Sequence, residues 1–288
     1  MEIKTETLRL TIDPAHGSVI RRFAWRQADA EIDLLRPAPA GSTDPLDSGC
    51  FPLIPFSNRI GLGRFQWNGR TVQLHSTMLG AHAIHGHGWR RAWRVERHDA
   101  ARVLLAYDYE PGDWPFAYRA ELSFELSDDA LAATLTVKNT GDETMPAGLG
   151  FHPYFGRARE RGLRADVSGV WLNDDTMLPM RHVTVQPPEN LVGGWHPPGA
   201  DYLDHCFTGW SRAATIDLSQ AGKTLSLTGS DALRYLVAYA PDGADFFCAE
   251  PVSNINNAVN LRDQAETGLV ALEPGAAMSA TMTLRVNA

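Results

Sequence analysis

Glu250 closes an apolar run, Phe246-Phe247-Cys248-Ala249, and is followed by Pro251 and the amide-rich stretch SNINNAVN (residues 253–260). A carboxylate that ends such a run is either solvated at a rim or poised in a pocket with a raised pKa, where it can carry a proton. Spacing leaves both open. A second proton carrier stands in GLGFHPYF (residues 148–155), where His152 follows a glycine-flanked apolar run and precedes Pro153. By itself a lone histidine is more often structural than catalytic, so the motif alone does not assign it.

Three further segments hold groups suited to a polar ligand. In GCFPLIPFSNRIGLGRF (residues 49–65), Asn58 and Arg59 sit among proline and glycine turns. A guanidinium there could hold hydroxyls in its fork or pin the loop to nearby carbonyls. AHAIHGHGWRRAW (residues 81–93) brings His82, His85 and His87 close in sequence, with glycines beside His87. Zinc would need three or four ligands with a recognisable second cluster, and no His-Glu-x-x-His spacing is present, so no metal and no other cofactor is expected. The glycines let backbone approach a ligand closely. Trp89 offers either an apolar platform for a sugar ring or a core side chain. Arg90, Arg91 and Arg94 follow and could surround a phosphate or occupy a solvated face. ADYLDHCF (residues 200–207) adds Asp201, Asp204 and His205.

The elements that must position these groups are strands. From Tyr118 to Leu126 apolar and polar residues alternate strictly, and Leu131 to Val137 and the stretch from Ala280 to Val286 repeat the pattern. Period-two alternation marks half-buried strands. Asn68-Gly69 between RFQW and TVQL supplies the positive φ angles of a tight hairpin. Helical periodicity over ten to twelve residues is missing, and the proline- and glycine-rich residues 187–199 suggest a long loop. The expectation is an all-β, antiparallel fold forming one domain over residues 1–288.

Composition narrows the function classes. With 44% hydrophobic and 21% charged residues the chain suits a packed globular core. A net charge of -8 lacks the basic face a nucleic acid requires. The first residues have no apolar leader and nowhere do about 18 apolar residues run together, so a cytoplasmic protein without membrane contact is expected. Cys50, Cys206 and Cys248 are odd in number and widely spaced, which predicts reduced, buried thiols.

Taken in order, Asn58-Arg59-Ile60 with Gly63-x-Phe65, His85-Gly86 with Trp93, His152-Pro153-Tyr154-Phe155, Asp204-x-x-Phe207 and Glu250 resemble the aldose 1-epimerase (galactose mutarotase) family. The resemblance runs from about Gly49 to the final strands. It implies a galactose mutarotase-like β-supersandwich, with Glu250 as catalytic base, His152 as catalytic acid, and Arg59, His85 and Asp204 holding a sugar. Asn58 and Trp89 join them as candidate binding residues. The chain departs from the better-known galactose mutarotases in reading His85-Gly86-His87-Gly88-Trp89, and Pro rather than Ser after His152; it looks closer to a shorter bacterial branch.

The implied reaction interconverts the α and β anomers of a free aldose such as galactose or glucose, in a monomer or homodimer. Reference pKa values of about 4.3 and 6.5 put Glu250 and His152 near the states this needs. Both should line one cleft, separated by room for the anomeric carbon and ring oxygen. A hexose-6-phosphate 1-epimerase and a non-catalytic carbohydrate-binding module are the alternatives.

Overall fold

A computed structural model of the protein describes residues 1–27, 30–75, 80–156, 162–186, 191, 203–218, 223–263 and 266–287. Apart from residue 191, the loop expected over residues 187–199 lies outside them, as does Asp201. The expected β structure is present: the paired strands are antiparallel, and helix among the described residues is confined to short pieces such as Ala258–Leu261. None of these helices is long and apolar enough to cross a membrane.

The alternating segments build an eight-stranded sheet. Tyr118–Leu126 buries Tyr118, Ala120, Leu122, Phe124 and Leu126 and leaves the intervening residues partly or fully exposed. It lies between Arg102–Tyr109 and Ala130–Asn139, so that Leu122 faces Leu105 on one side and Leu135 on the other. Ala277–Asn287 continues the sheet beyond Ala130–Asn139, followed by Lys223–Gly229, Ala213–Leu218 and Leu163–Ala165. The hairpin closes as expected, with Trp67 opposite Arg70 and φ angles of 48° at Asn68 and 76° at Gly69.

The second sheet has 11 strands and is apolar on one face, which packs into the same core as the smaller sheet. Its central strands are Cys50–Leu53, Gly150–Gly156, Phe246–Val252, Tyr235–Ala240 and Leu203–Thr208. Successive side chains on a strand point to opposite faces, and cross-strand partners share one. Phe247 and Ala249 therefore join Phe155 and Phe207 in the inter-sheet core. Phe246, Cys248 and Glu250 look the other way. On that open face Glu250 pairs with Val237, Val237 with Cys206, and Cys206 with Trp171. The adjacent row is Tyr154, Cys248, Tyr239 and Asp204.

The core carries the stability of the frame. Leu135, with 0% exposure, sits between the two sheets, and Leu135→Ala should cost about 2–5 kcal/mol through lost contacts and the cavity left behind. Urea unfolding checks this: the midpoint should fall at unchanged m value.

Candidate active site

Two loop segments on the open face are tied together by side chains that are not themselves candidate catalytic groups. Asn254 takes the Ser57 hydroxyl on its Oδ1 at 3.0 Å and gives its Nδ2 to the Ile255 carbonyl at 2.9 Å. Asn257 Oδ1 accepts the Gly61 N–H at 2.9 Å, and the Asn257 N–H donates to the Arg59 carbonyl at 2.7 Å. The backbone around Arg59 is thereby fixed from both ends. Asn58 adopts φ 57°, a left-handed conformation that Asn tolerates better than most residues, and its Oδ1 accepts the Arg59 N–H at 2.8 Å.

His85 is set by the same segment. Its N–H donates to the Asn58 carbonyl at 3.0 Å, and its Nδ1 accepts the Asn58 N–H at 3.2 Å. Accepting at Nδ1 makes the ring a neutral tautomer with its proton on Nε2. Burial, with His152 and Arg59 adding, holds its pKa well below the usual histidine value, consistent with that state. Gly86 at φ 67° packs so closely that a Cβ would stand 2.0 Å from the Ile54 carbonyl oxygen.

The large sheet supplies the two candidate proton carriers. His152 Nε2 lies 3.2 Å from Glu250 Oε1, and both side chains are almost wholly buried. Phe51 stacks on the imidazole at 4.5 Å between ring centroids and Tyr154 at 4.7 Å, while Trp89 stacks on Phe51 at 5.0 Å. Glu250 Oε2 and His152 Nδ1 are buried with no hydrogen-bond partner among the described residues. Burial pushes Glu250 well above the usual carboxylate range, Asp204 adding to it and Arg59 opposing. It pushes His152 down to about 3. The environment thus favours the uncharged form of both groups, opposite to the states expected from reference values. The expected separation is corrected too, because the pair is in direct contact.

Arg59 Nη1 lies 3.5 Å from Asp204 Oδ2, and burial raises the Asp204 pKa against the pull of that guanidinium. A cavity of about 310 Å³ is lined by all seven residues assigned a catalytic or binding role through the family resemblance: Asn58, Arg59, His85, Trp89, His152, Asp204 and Glu250. That lies at the small end of the range for small-molecule sites. The lining also includes Tyr154 and Phe246, which sequence reasoning named only as parts of motifs, and Arg36 and Tyr239, which it did not single out. The Arg36 guanidinium lies over the Tyr154 ring at 3.9 Å and donates to the Ser48 carbonyl at 2.9 Å. Its only sequence neighbourhood is an unremarkable loop before Pro37, so no signal marked it.

The three close-spaced histidines part company. His85 enters the cavity, His82 Nδ1 accepts the Leu62 N–H at 2.9 Å, and His87 Nε2 lies 3.4 Å from Asp113 Oδ1. His205 is mostly buried, its Nδ1 3.1 Å from the Trp171 carbonyl, and it does not line the cavity. Arg90, Arg91 and Arg94 are exposed and outside it, with Arg94 paired to Glu96 and Asp108. The three cysteines are free and buried.

The profile of the aldose 1-epimerase family matches residues 2–285. The chain belongs to the aldose 1-epimerase family. It is 34% identical over 280 residues to the uncharacterized protein YphB of Escherichia coli (strain K12), covering 94% of this chain and 93% of the relative. The crystal structure of a candidate aldose 1-epimerase from Escherichia coli K12 superposes with a TM-score of 0.87 at 32% identity, covering 99% of this chain and 98% of that one. A galactose mutarotase-like protein from Clostridium acetobutylicum shares the fold, with a TM-score of 0.85 at 20% identity over 99% and 94% of the two chains. The sandwich described above is therefore the galactose mutarotase-like one of this aldose epimerase family.

The loop geometry around His85 gives a test of its own. Gly86→Ala places a Cβ against the Ile54 carbonyl at a positive φ, a strain of about 1–3 kcal/mol. Thermal unfolding should show a lowered midpoint, whereas an alanine at Gly69, whose Cβ would meet nothing within 4 Å, should show only the smaller cost of its own positive φ.

Proposed function

We propose that the protein is an aldose 1-epimerase that interconverts the α and β anomers of a free aldose, galactose and glucose being the first candidates, with Glu250 and His152 as the proton-transfer pair. One observation carries this reading: a carboxylate and an imidazole in contact at 3.2 Å, in a cavity that Arg59, His85 and Asp204 also line.

Opening a hemiacetal ring takes a proton from the anomeric hydroxyl and delivers one to the ring oxygen. Both oxygens are bonded to the anomeric carbon and stand side by side, so an acid and a base in mutual contact can serve them from one edge of the ring. The bond from the anomeric carbon to the ring oxygen breaks as the carbonyl forms. Glu250 takes the hydroxyl proton and His152 Nε2 gives its own to the ring oxygen. Rotation about the bond to the next carbon turns the aldehyde, and reclosure runs the two transfers backwards on the other face. Each positioned transfer typically contributes about 10² to 10⁴ in rate.

Burial holds the resting pair neutral, with one proton between Oε1 and Nε2. Moving that proton onto Nε2 gives the carboxylate and imidazolium the opening step uses; Arg59 stabilises the carboxylate half of that form and opposes the imidazolium half. The Arg59 fork, the Nε2–H of His85 and the Asp204 carboxylate are suited to sugar hydroxyls, while Trp89 supplies an apolar surface. A neutral sugar fits better than a phosphorylated one: none of Arg90, Arg91 and Arg94 lines the cavity, and Arg36 is engaged by carbonyls and rings. A pure binding module has no use for a buried acid–base pair.

Polarimetry of freshly dissolved α-aldoses tests the reading. Glu250→Gln keeps the shape and removes the base, so kcat should drop by about two orders of magnitude or more with sugar binding largely kept. His152→Asn should behave alike, and the double variant should lose less than the sum of the single losses. Near-normal mutarotation in Glu250→Gln would return the site to a binding role. Much faster turnover of a hexose 6-phosphate than of the free hexose would favour the phosphate reading instead.

A further inference from the structure

The open-face row that holds Glu250 has a neighbour the sugar chemistry does not use. Cys248 is two residues before Glu250 on the same strand and so points to the same face. It pairs with Tyr154 on one side and Tyr239 on the other, and both of these line the cavity. One donor atom from each of His152, Cys248 and Glu250 lies within 4.8 Å of the other two.

We propose that His152, Cys248 and Glu250 form a binding site for a thiophilic divalent cation such as Zn²⁺, and that its occupation blocks the site. A tetrahedral zinc ion with bonds of about 2.0–2.2 Å to nitrogen and oxygen holds those two ligands roughly 3.3 Å apart. The His152 Nε2 to Glu250 Oε1 separation is 3.2 Å. The widest separation in the set leaves roughly an ångström for the side chains to close on the ion, with sulfur at about 2.3 Å. The donor set is one thiolate, one imidazole and one carboxylate, which suits zinc or cadmium and not magnesium or calcium. His152 and Glu250 line the cavity, from which water or a sugar hydroxyl completes the shell. The ion displaces two protons, the one on Cys248 Sγ and the one shared by Oε1 and Nε2, and both leave with solvent.

The consequence rests on the proposed roles of His152 and Glu250: an ion on Nε2 and Oε1 occupies the lone pairs that proton transfer needs. Binding itself does not depend on that reading, so the two can fail separately. The full chain, first stripped with a chelator, is titrated with Cd²⁺ while sulfur-to-cadmium charge-transfer absorption is followed in the ultraviolet. One saturable equivalent is expected, absent in Cys248→Ser and in Cys248→Ala, either of which suffices if the other folds poorly. Cys50→Ser and Cys206→Ser should retain it. His152→Asn should weaken Cd²⁺ binding about tenfold or more, since even outer partners of metal ligands are worth that much. In polarimetry Zn²⁺ should slow mutarotation reversibly and be opposed by high sugar, while Cys248→Ser stays active and needs at least about tenfold more Zn²⁺ for the same inhibition. A cadmium band that survives Cys248→Ser, moves with Cys50 or Cys206, or never saturates at one equivalent overturns the site. Zn²⁺ inhibition unchanged by Cys248→Ser overturns its link to the reaction. Absence of any mutarotation in the wild type removes the proposed function and leaves the titration standing on its own.

Discussion

The structure turns on the contact between His152 and Glu250 inside an apolar wall. In water each group would take its ordinary charge; with His152 stacked between Phe51 and Tyr154 and Glu250 buried against it, each is pushed toward neutrality. Removing an ion from water is costly, and the cost falls when a partner of opposite charge or a proton is at hand. The pair supplies both for itself. A proton can rest on either partner without changing the pair's net charge, so under the proposed role protons would move in a buried site without leaving an uncompensated ion behind.

Everything around that contact serves to keep it in place and give it something to act on. The sheet turns one face to the core and the other toward the cavity, so on Phe246–Val252 the core residues Phe247 and Ala249 stand between Phe246 and Glu250, which line the cavity. Phe247 and Ala249 anchor the strand while Cys248 and Glu250 stay on the working face. The loops that carry Asn58, Arg59 and His85 gain their rigidity from Asn254 and Asn257, reached across almost 200 residues of sequence. Side chains on rigid elements hold tighter geometry than side chains on free loops.

The smaller sheet was legible in the sequence because water touches one of its faces. Tyr118–Leu126, Ala130–Asn139 and Ala277–Asn287 print their burial as alternation, and the Asn68-Gly69 hairpin prints its turn. Gly150–Gly156 and Phe246–Val252 are buried on both faces and show no such period, so the strands that carry His152 and Glu250 were the ones patterning could not resolve. The site was found as separate motifs. What spacing could not supply was adjacency: nothing in residue type says that His152 and Glu250 touch, or that Arg36 reaches the same cavity. Nor could it supply environment, and the reference pKa values misjudged both groups because they assume water.

The cavity's walls come from residues 36 to 250, gathered from both halves of the chain. No segment of the protein contains a site in miniature. Contacts between residues so far apart in sequence are reached only after large loops have closed, and the entropy of closure is met before those contacts return anything. The cavity therefore has no local precursor and exists only once those long-range pairings are made. Its occupancy reports on the integrity of the entire sheet, and a chain cut anywhere between Asn58 and Glu250 would have to reassemble two fragments before it could hold a ligand at all.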